Sequence, residues 1–140
     1  MLTTFKKIAV AIDFSEQSLK AFQRAVSEAK ECKTTLVLVN VVDTMSFGSV
    51  TAYDLKYADQ LKKENLEKIN KLKKQAEEAG VQDVEVVVET GSPKVVLTQL
   101  PDVGLIICGA TGLNKVEKMV IGSVAERIVR SAKCDVFIVR

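Results

Sequence analysis

The sequence predicts a single doubly wound α/β domain, in which a parallel sheet carries helices on both faces. Two observations lead to this prediction: five short runs of apolar, mostly β-branched residues, and an amphipathic helical pattern in each interval between them. The resulting order, β-α-β-α-β-α-β-α-β, calls for parallel strands joined by right-handed crossovers. The length of 140 residues suits one domain with one hydrophobic core, so residues 1–140 are assigned to one domain.

The predicted strands are apolar on successive residues and lack the alternation of a sheet with one solvated face. The first strand, residues 8–12, is followed by Asp13, and the second ends at Asp43 after the apolar residues 36–42. The other three strands are predicted over residues 84–88, 103–108 and 136–139. Because strands of this composition must be buried on both sides, we expect helices above and below the sheet.

The first two helices are predicted from their apolar stripes. The first covers residues 16–30, with Ser15 as its N-cap. Its stripe consists of Leu19, Phe22, Val26 and Ala29. The second covers residues 54–79 and stops at Gly80. Its stripe consists of Leu55, Ala58, Leu61, Leu66, Ile69, Leu72 and Ala76. The lysines of this helix are interleaved with glutamates, which is more typical of a solvated face than of a polyanion site.

The last two helices are shorter. Ser92-Pro93 is a cap followed by proline at the first helical position, and it opens a helix through Val96 and Leu100 that Pro101 ends. The fourth helix carries Val120, Val124, Ile128 and Ala132. Residues 44–53 contain glycine and serine and show no periodicity. We interpret them as a mobile loop at the carboxyl end of the second strand, with an ordered turn as the alternative.

The composition excludes several classes of function. Histidine is absent, which removes the Ser-His-Asp and Cys-His nucleophile arrangements and every zinc site that needs an imidazole. Twenty basic and eighteen acidic residues leave a formal net charge of +2. This charge is too small and too evenly spread to indicate a nucleic acid or a membrane surface as a partner.

The cysteines and the hydropathy of the chain predict a cytoplasmic location. Cys32, Cys108 and Cys134 stand far apart without a C-x-x-C pair, so reduced thiols are a simpler interpretation than disulfides or a zinc cluster. Residues 1–7 lack the pattern of a secretory signal. The longest segment without charge, residues 103–114, is shorter than the roughly 18 apolar residues of a membrane span.

The residues that exceed packing needs stand at the carboxyl ends of the predicted strands, where open parallel sheets bind ligands. Asp13 follows the first strand, Val41 and Asp43 end the second, and Gly109 and Gly112 follow the fourth. A glycine pair directly after a buried strand is typical either of a backbone that approaches a ligand or of a tight turn.

A second glycine segment, Gly122-Ser123, comes nine residues after Gly112 and precedes the fourth helix. Backbone N–H groups at a helix start attract phosphate oxygens, but the dipole contributes only about 0.3–1 kcal/mol, so a tight site needs several amides together. The pattern is neither the Walker A loop nor the dinucleotide G-x-G-x-x-G. It leaves open a phosphate site of another loop geometry.

Together, Gly109, Gly112, Gly122 and Ser123 resemble the nucleotide-binding signature of the universal stress protein family: G-x-x-G, nine residues, then G-[ST]. The context agrees, with Asp13 after the first strand, Asn-Val-Val-Asp at residues 40–43 and an apolar closing strand, so the resemblance covers essentially the whole chain. It implies a flavodoxin-like, Rossmann-like sheet of strand order 3-2-1-4-5 with four helices. For the branch of the family that has this motif, it also implies a bound ATP.

The resemblance implies roles for single residues. Asp13 would contact the adenosine part, and the backbone at Val41 would read the adenine edge. Gly109 and Gly112 would let the chain pass close to the ribose and the phosphates. The residues that would hold phosphate oxygens are Gly122, Ser123, Val124 and Ala125. The expected site is completed by Ile12, Cys108 and Thr111.

Some members of the family carry a polar or cationic residue between the first two glycines, where this chain has Ala110 and Thr111. Charge neutralisation there would rest on backbone amides, assisted by Lys115 or Lys118. Magnesium is an expected companion of ATP, although no acidic pair in the motif is an obvious ligand. The family often pairs its last strands across a two-fold axis, which implies a homodimer through residues 136–139.

Alternatives remain for two residues and for the function. Asp13 also fits a helix cap with Glu16 three residues on, and both roles can hold. Cys108 is either a small buried hydrophobe or a redox-active thiol.

We expect an ATP-binding regulatory module of the stress response with at most slow hydrolysis, since no general base, arginine finger or metal pair is evident. The alternatives are an ATPase or phosphotransferase activated by a partner, and a nucleotide-free dimeric interaction protein.

Overall fold

The computed structural model describes residues 6–44, 52–111 and 121–140, with side chains of the second range from residue 56. Within these ranges the chain forms five strands and four helices in strict alternation. They are β1 (Lys7–Ala11), α1 (Glu16–Cys32), β2 (Thr35–Asp43), α2 (Ala52–Glu78), β3 (Val84–Gly91), α3 (Pro93–Thr98), β4 (Leu105–Gly109), α4 (Ser123–Ser131) and β5 (Asp135–Val139).

All neighbouring strands are parallel, and the sheet has the order β3-β2-β1-β4-β5. Both the predicted fold class and the strand order that the family resemblance implied are therefore confirmed. β1 lies at the centre, with β2 on one side and β4 on the other. Among the described residues, no helix combines the length and hydropathy needed to cross a membrane.

The apolar strands separate two layers of packed side chains, as their composition requires. On one face, α1 and α2 cover side chains that include Ile8, Val10, Leu36 and Leu38. On the other face, Ala9, Val37, Val39 and Ile106 pack with residues of α3 and α4. Successive residues of β1 and β2 thus point into opposite layers, and both layers are apolar.

Several predicted bounds shift for identifiable reasons. β3 extends past residue 88 to Gly91, because Glu89, Thr90 and Gly91 continue the ladder with the end of β2. α3 ends at Thr98, before Leu100, and Ala132 is the C-cap of α4. Ala52 and Tyr53 belong to α2, so the loop predicted over residues 44–53 is too long. Its residues 45–51 lie outside the described part of the chain, as does Val120.

Two predicted core positions are wrong by one residue. Leu19 is 38% exposed and Leu66 is 43% exposed. In α1, Ser18 is buried beside the confirmed positions Phe22, Val26 and Ala29. In α2, Asn65 is buried instead of Leu66, in helical phase with Ala58, Ile69, Leu72 and Ala76. Hydrogen bonds, described below, compensate for the burial of these two polar side chains.

Candidate functional site

The predicted site residues are brought to one end of the sheet. β1 and β4 are adjacent, and the helices that follow them, α1 and α4, lie on opposite faces. Diverging crossovers of this kind create a crevice outside the carboxyl ends of the strands, where open α/β sheets bind ligands. Asp13, Val41 and Gly109 stand at or just beyond the carboxyl ends of β1, β2 and β4.

Asp13 lies in a turn held by its own side chain. Its Oδ1 accepts a hydrogen bond from the backbone N–H of Ser15 at 2.9 Å. Its backbone N–H donates to Ser18 Oγ at 3.3 Å. Phe14, between Asp13 and Ser15, has a left-handed φ of 65°, which non-glycine residues adopt only when their surroundings enforce it. Oδ2 accepts no hydrogen bond from the described residues.

The N-cap of α1 is Ser15, as predicted, and not Asp13. Ser15 has extended backbone angles, and its Oγ accepts from the backbone N–H of Ser18 at 3.2 Å. The alternative of Asp13 as a helix cap with Glu16 is therefore wrong. The Asp13 carboxylate instead fixes the turn that precedes the cap.

Val41 lies on a part of β2 that pairs with one neighbour only. The ladder between β1 and β2 ends at Ala11 and Val39, extended by a 2.8 Å bond from the Ile12 N–H to the Val39 carbonyl. Val41 pairs with Glu89 of β3. Since β1 has already left the sheet at this point, no strand of the described ranges covers the other edge of β2 beside Val41. Ile12 itself is buried, so its side chain belongs to the core.

Gly109, the last residue of β4, lies close to Gln17 of α1. A Cβ at this position would lie 2.9 Å from Gln17 Cβ, 3.0 Å from its carbonyl carbon and 3.1 Å from its carbonyl oxygen. Real Cβ atoms essentially never approach another atom to less than 3.0 Å, so any larger residue here would force α1 or β4 to shift, and packing against α1 by itself favours glycine. The family resemblance assigns this glycine to the ligand, whereas the structure adds a helix contact that spacing along the sequence does not reveal.

Cys108 is 3% exposed and packs in the layer beneath α4. Burial raises the pKa of its thiol to about 12. At neutral pH the thiol therefore stays protonated, and a protonated thiol is a poor nucleophile. These observations support the interpretation of Cys108 as a small buried hydrophobe.

The two glycine segments of the motif meet at Ala110. The backbone N–H of Gly122 donates to the Ala110 carbonyl at 2.7 Å, and the Ala110 N–H donates to the Val139 carbonyl at 2.8 Å. The start of α4 is thereby attached to the ends of β4 and β5. Gly112 lies outside the described residues, as do Lys115 and Lys118.

The amino terminus of α4 has no side-chain cap. Gly122 is its N-cap, with extended angles of φ −65° and ψ 155°, and glycine has no side chain with which to cap the first amides. Ser123 is exposed, Val124 is half-buried and Ala125 is buried. Their N–H groups point out of the first turn, where an anion is stabilised by both hydrogen bonding and the helix dipole.

Two polar side-chain atoms near the end of β4 are buried without a hydrogen-bond partner among the described residues: Thr111 Oγ1 and Gln17 Oε1. Gln17 contacts the end of β4 from α1, and Thr111 follows that strand by two residues. A buried polar atom without a hydrogen-bond partner costs free energy. A ligand that supplied donors or acceptors to these two atoms would form the missing hydrogen bonds and remove that cost.

Sequence reasoning missed the polar residues that hold the strand ends: Gln17, Ser18, Asn40 and Asn65. A signal existed for two of them. Asn40 interrupts an otherwise apolar buried strand, and Asn65 falls in helical phase with the buried face of α2. A polar residue at such positions indicates a specific hydrogen-bond partner.

Two further features were considered among the described residues: groups of metal ligands and a surface cavity. No group of three or more His, Cys, Asp or Glu side chains that could hold a metal ion occurs among them. A shallow cavity of about 450 Å³ is lined by residues that include Lys33, Thr35 and Asp83. Thr35 begins β2, so this cavity lies at the amino end of the sheet, opposite the predicted site.

Comparisons with known proteins agree with this architecture. The family model described as "Universal stress protein family" matches residues 4–140. A protein of Staphylococcus aureus (strain USA300), named among the universal stress proteins, is 41% identical over 143 residues that cover 99% of this chain and 86% of the relative. The solved structure of UspA from Lactobacillus plantarum superimposes with a TM-score of 0.87 at 23% identity, covering 99% of this chain and 100% of its own.

Three other solved structures of this fold contain an adenine nucleotide. A universal stress protein in complex with cAMP is 23% identical with a TM-score of 0.70, and covers 99% of this chain and 98% of its own. The Archaeoglobus fulgidus protein with dAMP is 18% identical, with a TM-score of 0.67 and complete coverage of both chains, each at 100%. The Arabidopsis thaliana protein with AMP is 21% identical with a TM-score of 0.67, and covers 94% and 89%. At these identities the likeness establishes the fold alone.

Proposed function

The chain belongs to the universal stress protein family, and from that premise we propose that it binds ATP at the carboxyl end of its sheet. In this proposal it acts in the cytoplasm as a nucleotide-dependent regulatory module of the stress response, with at most slow hydrolysis. The nucleotide lies across the ends of β1, β2 and β4, with its phosphates at the start of α4.

The observation that carries the proposal is the bond between Gly122 N and Ala110 O, which fixes an uncapped helix start beside the end of β4. The amides of Ser123, Val124 and Ala125 are then available to phosphate oxygens. Thr111 Oγ1, buried without a partner among the described residues, offers a hydroxyl directly after Ala110. Several donors together supply what one helix dipole does not.

The adenosine half of the site is supported by β1 and β2. Asp13 keeps one carboxylate oxygen free of bonds to the described residues, which suits acceptance from a ribose hydroxyl or the adenine amino group. On the β1 side, the edge of β2 at Val41 pairs with no strand in the described part of the chain, so it can pair with the adenine edge. The nucleotides named for the three relatives, AMP, dAMP and cAMP, share an adenine and a phosphate with ATP.

Magnesium enters this proposal as the companion of ATP. Because the described residues contain no cluster of acidic ligands, the ion would be held chiefly by the phosphates and water, as Mg²⁺ commonly is. Gly109 and Gly112 retain the proposed role of letting the chain pass close to the ribose and phosphates.

Hydrolysis is expected to be slow, since the amides and hydroxyls proposed for the site include no general base and no arginine finger. The test is multiple-turnover release of phosphate from ATP by the purified protein with magnesium. We expect a rate well below about one per second. The Gly122→Val variant, purified in parallel, reports any contaminating ATPase. A faster rate that the variant lacks would identify an enzyme instead of a binding module.

We further propose a homodimer through β5. This strand is an edge of the sheet, with β4 as its only partner in the described chain, and an uncovered edge is a template for pairing with a second copy. The expected result of sedimentation equilibrium is a mass of twice 15.3 kDa. A monomer at every concentration tested would contradict this assembly.

A further inference from the structure

A chain of buried hydrogen bonds connects α2 to the carboxyl end of β1. Asn65 Nδ2 of α2 donates to Asn40 Oδ1 of β2 at 3.0 Å. Asn40 Nδ2 then donates to the carbonyl of Ile12 at 2.8 Å. The two asparagines are 8% and 3% exposed. Both ends of the Asn40 amide are therefore engaged with other elements, and the path ends one residue before Asp13.

The position of Asn40 explains why a polar side chain is tolerated in a buried strand. Burying an amide without hydrogen bonds is costly, so Asn40 is compatible with the core only while both partners are present. The partner on β1, the Ile12 carbonyl, also requires a hydrogen-bond donor. The ladder between β1 and β2 ends at Ala11 and Val39, so the Ile12 carbonyl lies at the point where the chain leaves the sheet. The Asn40 side chain supplies the donor that a further strand residue would otherwise provide.

The segment after Ile12 depends on being held from outside. Phe14 has a left-handed φ of 65°, and Asp13 and Ser15 are tied together by a 2.9 Å bond. A backbone in a sparsely populated conformation persists only when its surroundings determine it. Asn40 anchors the turn on the strand side, at Ile12. Ser18 anchors it on the helix side through the 3.3 Å bond from the Asp13 N–H.

We propose that Asn40 and Asn65 are positioning residues of the nucleotide site: they fix the Ile12 carbonyl and thereby aim the Asp13 carboxylate at the ligand. This inference rests on the proposed ATP site and adds to it two residues that do not touch the nucleotide. It also makes α2 part of the site, because the Asn65 amide is the outermost member of the chain of bonds.

Comparison of a single variant with a double variant separates this positioning role from a purely structural one. Asn65→Leu removes the donor and leaves Asn40 Oδ1 buried and unpaired, which lowers the thermal midpoint. Asn40→Leu combined with Asn65→Leu removes the hydrogen bond between the two side chains without leaving either amide unpaired. The double variant still lacks the donor to the Ile12 carbonyl. We therefore expect the ATP affinity of the double variant to be weaker than the parent's by about tenfold, an effect of the size seen for outer-shell partners at metal sites. It should also be weaker than that of Asn65→Leu, which keeps the donor to the Ile12 carbonyl.

A measurement without nucleotide reports the same effect. The N–H of Ser15 donates to Asp13, so its hydrogen exchange follows the position of that carboxylate. We expect faster exchange at Ser15 in the double variant than in the parent. Ile69→Val, at a fully buried position one turn further along α2, is the control for lost packing and should change neither the exchange nor the ATP affinity.

Three outcomes decide the matter. A double variant with parental ATP affinity and parental exchange at Ser15 overturns the positioning role while leaving the ATP site intact. A parent that does not bind ATP overturns the proposed function, and this inference with it. Should the double variant not fold, the hydrogen-exchange rate of the Ser15 N–H is compared between Asn65→Leu and Ile69→Val. Equal rates in these two variants overturn the positioning role.

Discussion

Gly122→Val is expected to abolish ATP binding while the chain still folds. The extended angles of Gly122, φ −65° and ψ 155°, are accessible to valine, so the backbone needs no rearrangement. Loss of a favourable N-cap residue costs about 1 kcal/mol of stability. The β-branched side chain would stand in front of the first amides of α4, on the proposed phosphate path. Calorimetric titration should show an affinity loss of more than about a hundredfold.

Ser92→Val is the matched control for that experiment. Ser92 is the N-cap of α3, is extended with φ −97° and ψ 119°, and makes no side-chain cap bond. The substitution therefore introduces the same side chain at the same position of another helix. We expect parental ATP affinity from Ser92→Val. If Gly122→Val also bound as tightly as the parent, the phosphate site at α4 would be wrong.

Gly109→Ala is expected to lower the free energy of unfolding by about 1–3 kcal/mol, the usual cost of forcing an extra methyl group into a packed core. The added Cβ would lie 2.9 to 3.1 Å from three atoms of Gln17, two of which are backbone atoms that cannot rotate away. Either α1 or β4 must shift. Denaturant unfolding followed by circular dichroism measures the loss.

Two companion variants separate this packing effect from other effects of glycine. Gln17→Gly in the Gly109→Ala background removes the 2.9 Å contact and leaves the backbone contacts at 3.0 and 3.1 Å, so it should restore only part of the stability. Gly91→Ala meets nothing within 4 Å but has φ +138°, so its cost comes from backbone strain alone. Unchanged stability of Gly109→Ala would contradict the packing requirement at this position.

The fold could be predicted from the sequence because its main determinant is local. Runs such as residues 36–42 are apolar on both sides, and each interval between runs repeats with a helical period. The rotation of each helix was harder to predict. A shift of one residue turns a helix face by about 100°, and this separates the buried Asn65 and Ser18 from the exposed Leu66 and Leu19.

The position of the candidate site could also be predicted, since the carboxyl ends of parallel strands meet at one edge of the sheet. Asp13, Val41 and Gly109 lie at that edge. The contacts that hold them could not be predicted. Asn40 with Asn65, and Gly109 with Gln17, meet across crossovers, and such pairs depend on how closely a helix packs on the sheet. Neither periodicity nor spacing along the chain determines that distance.

The central claim is that this chain holds ATP with backbone amides, a hydroxyl and one carboxylate. Its most direct test is a calorimetric titration of the nucleotide-free protein with ATP and magnesium up to about 1 mM, where even a binding free energy of about −4 kcal/mol half-fills the site. We predict saturable binding of one ATP per chain. The absence of any binding at that concentration would contradict the claim and favour a nucleotide-free interaction protein.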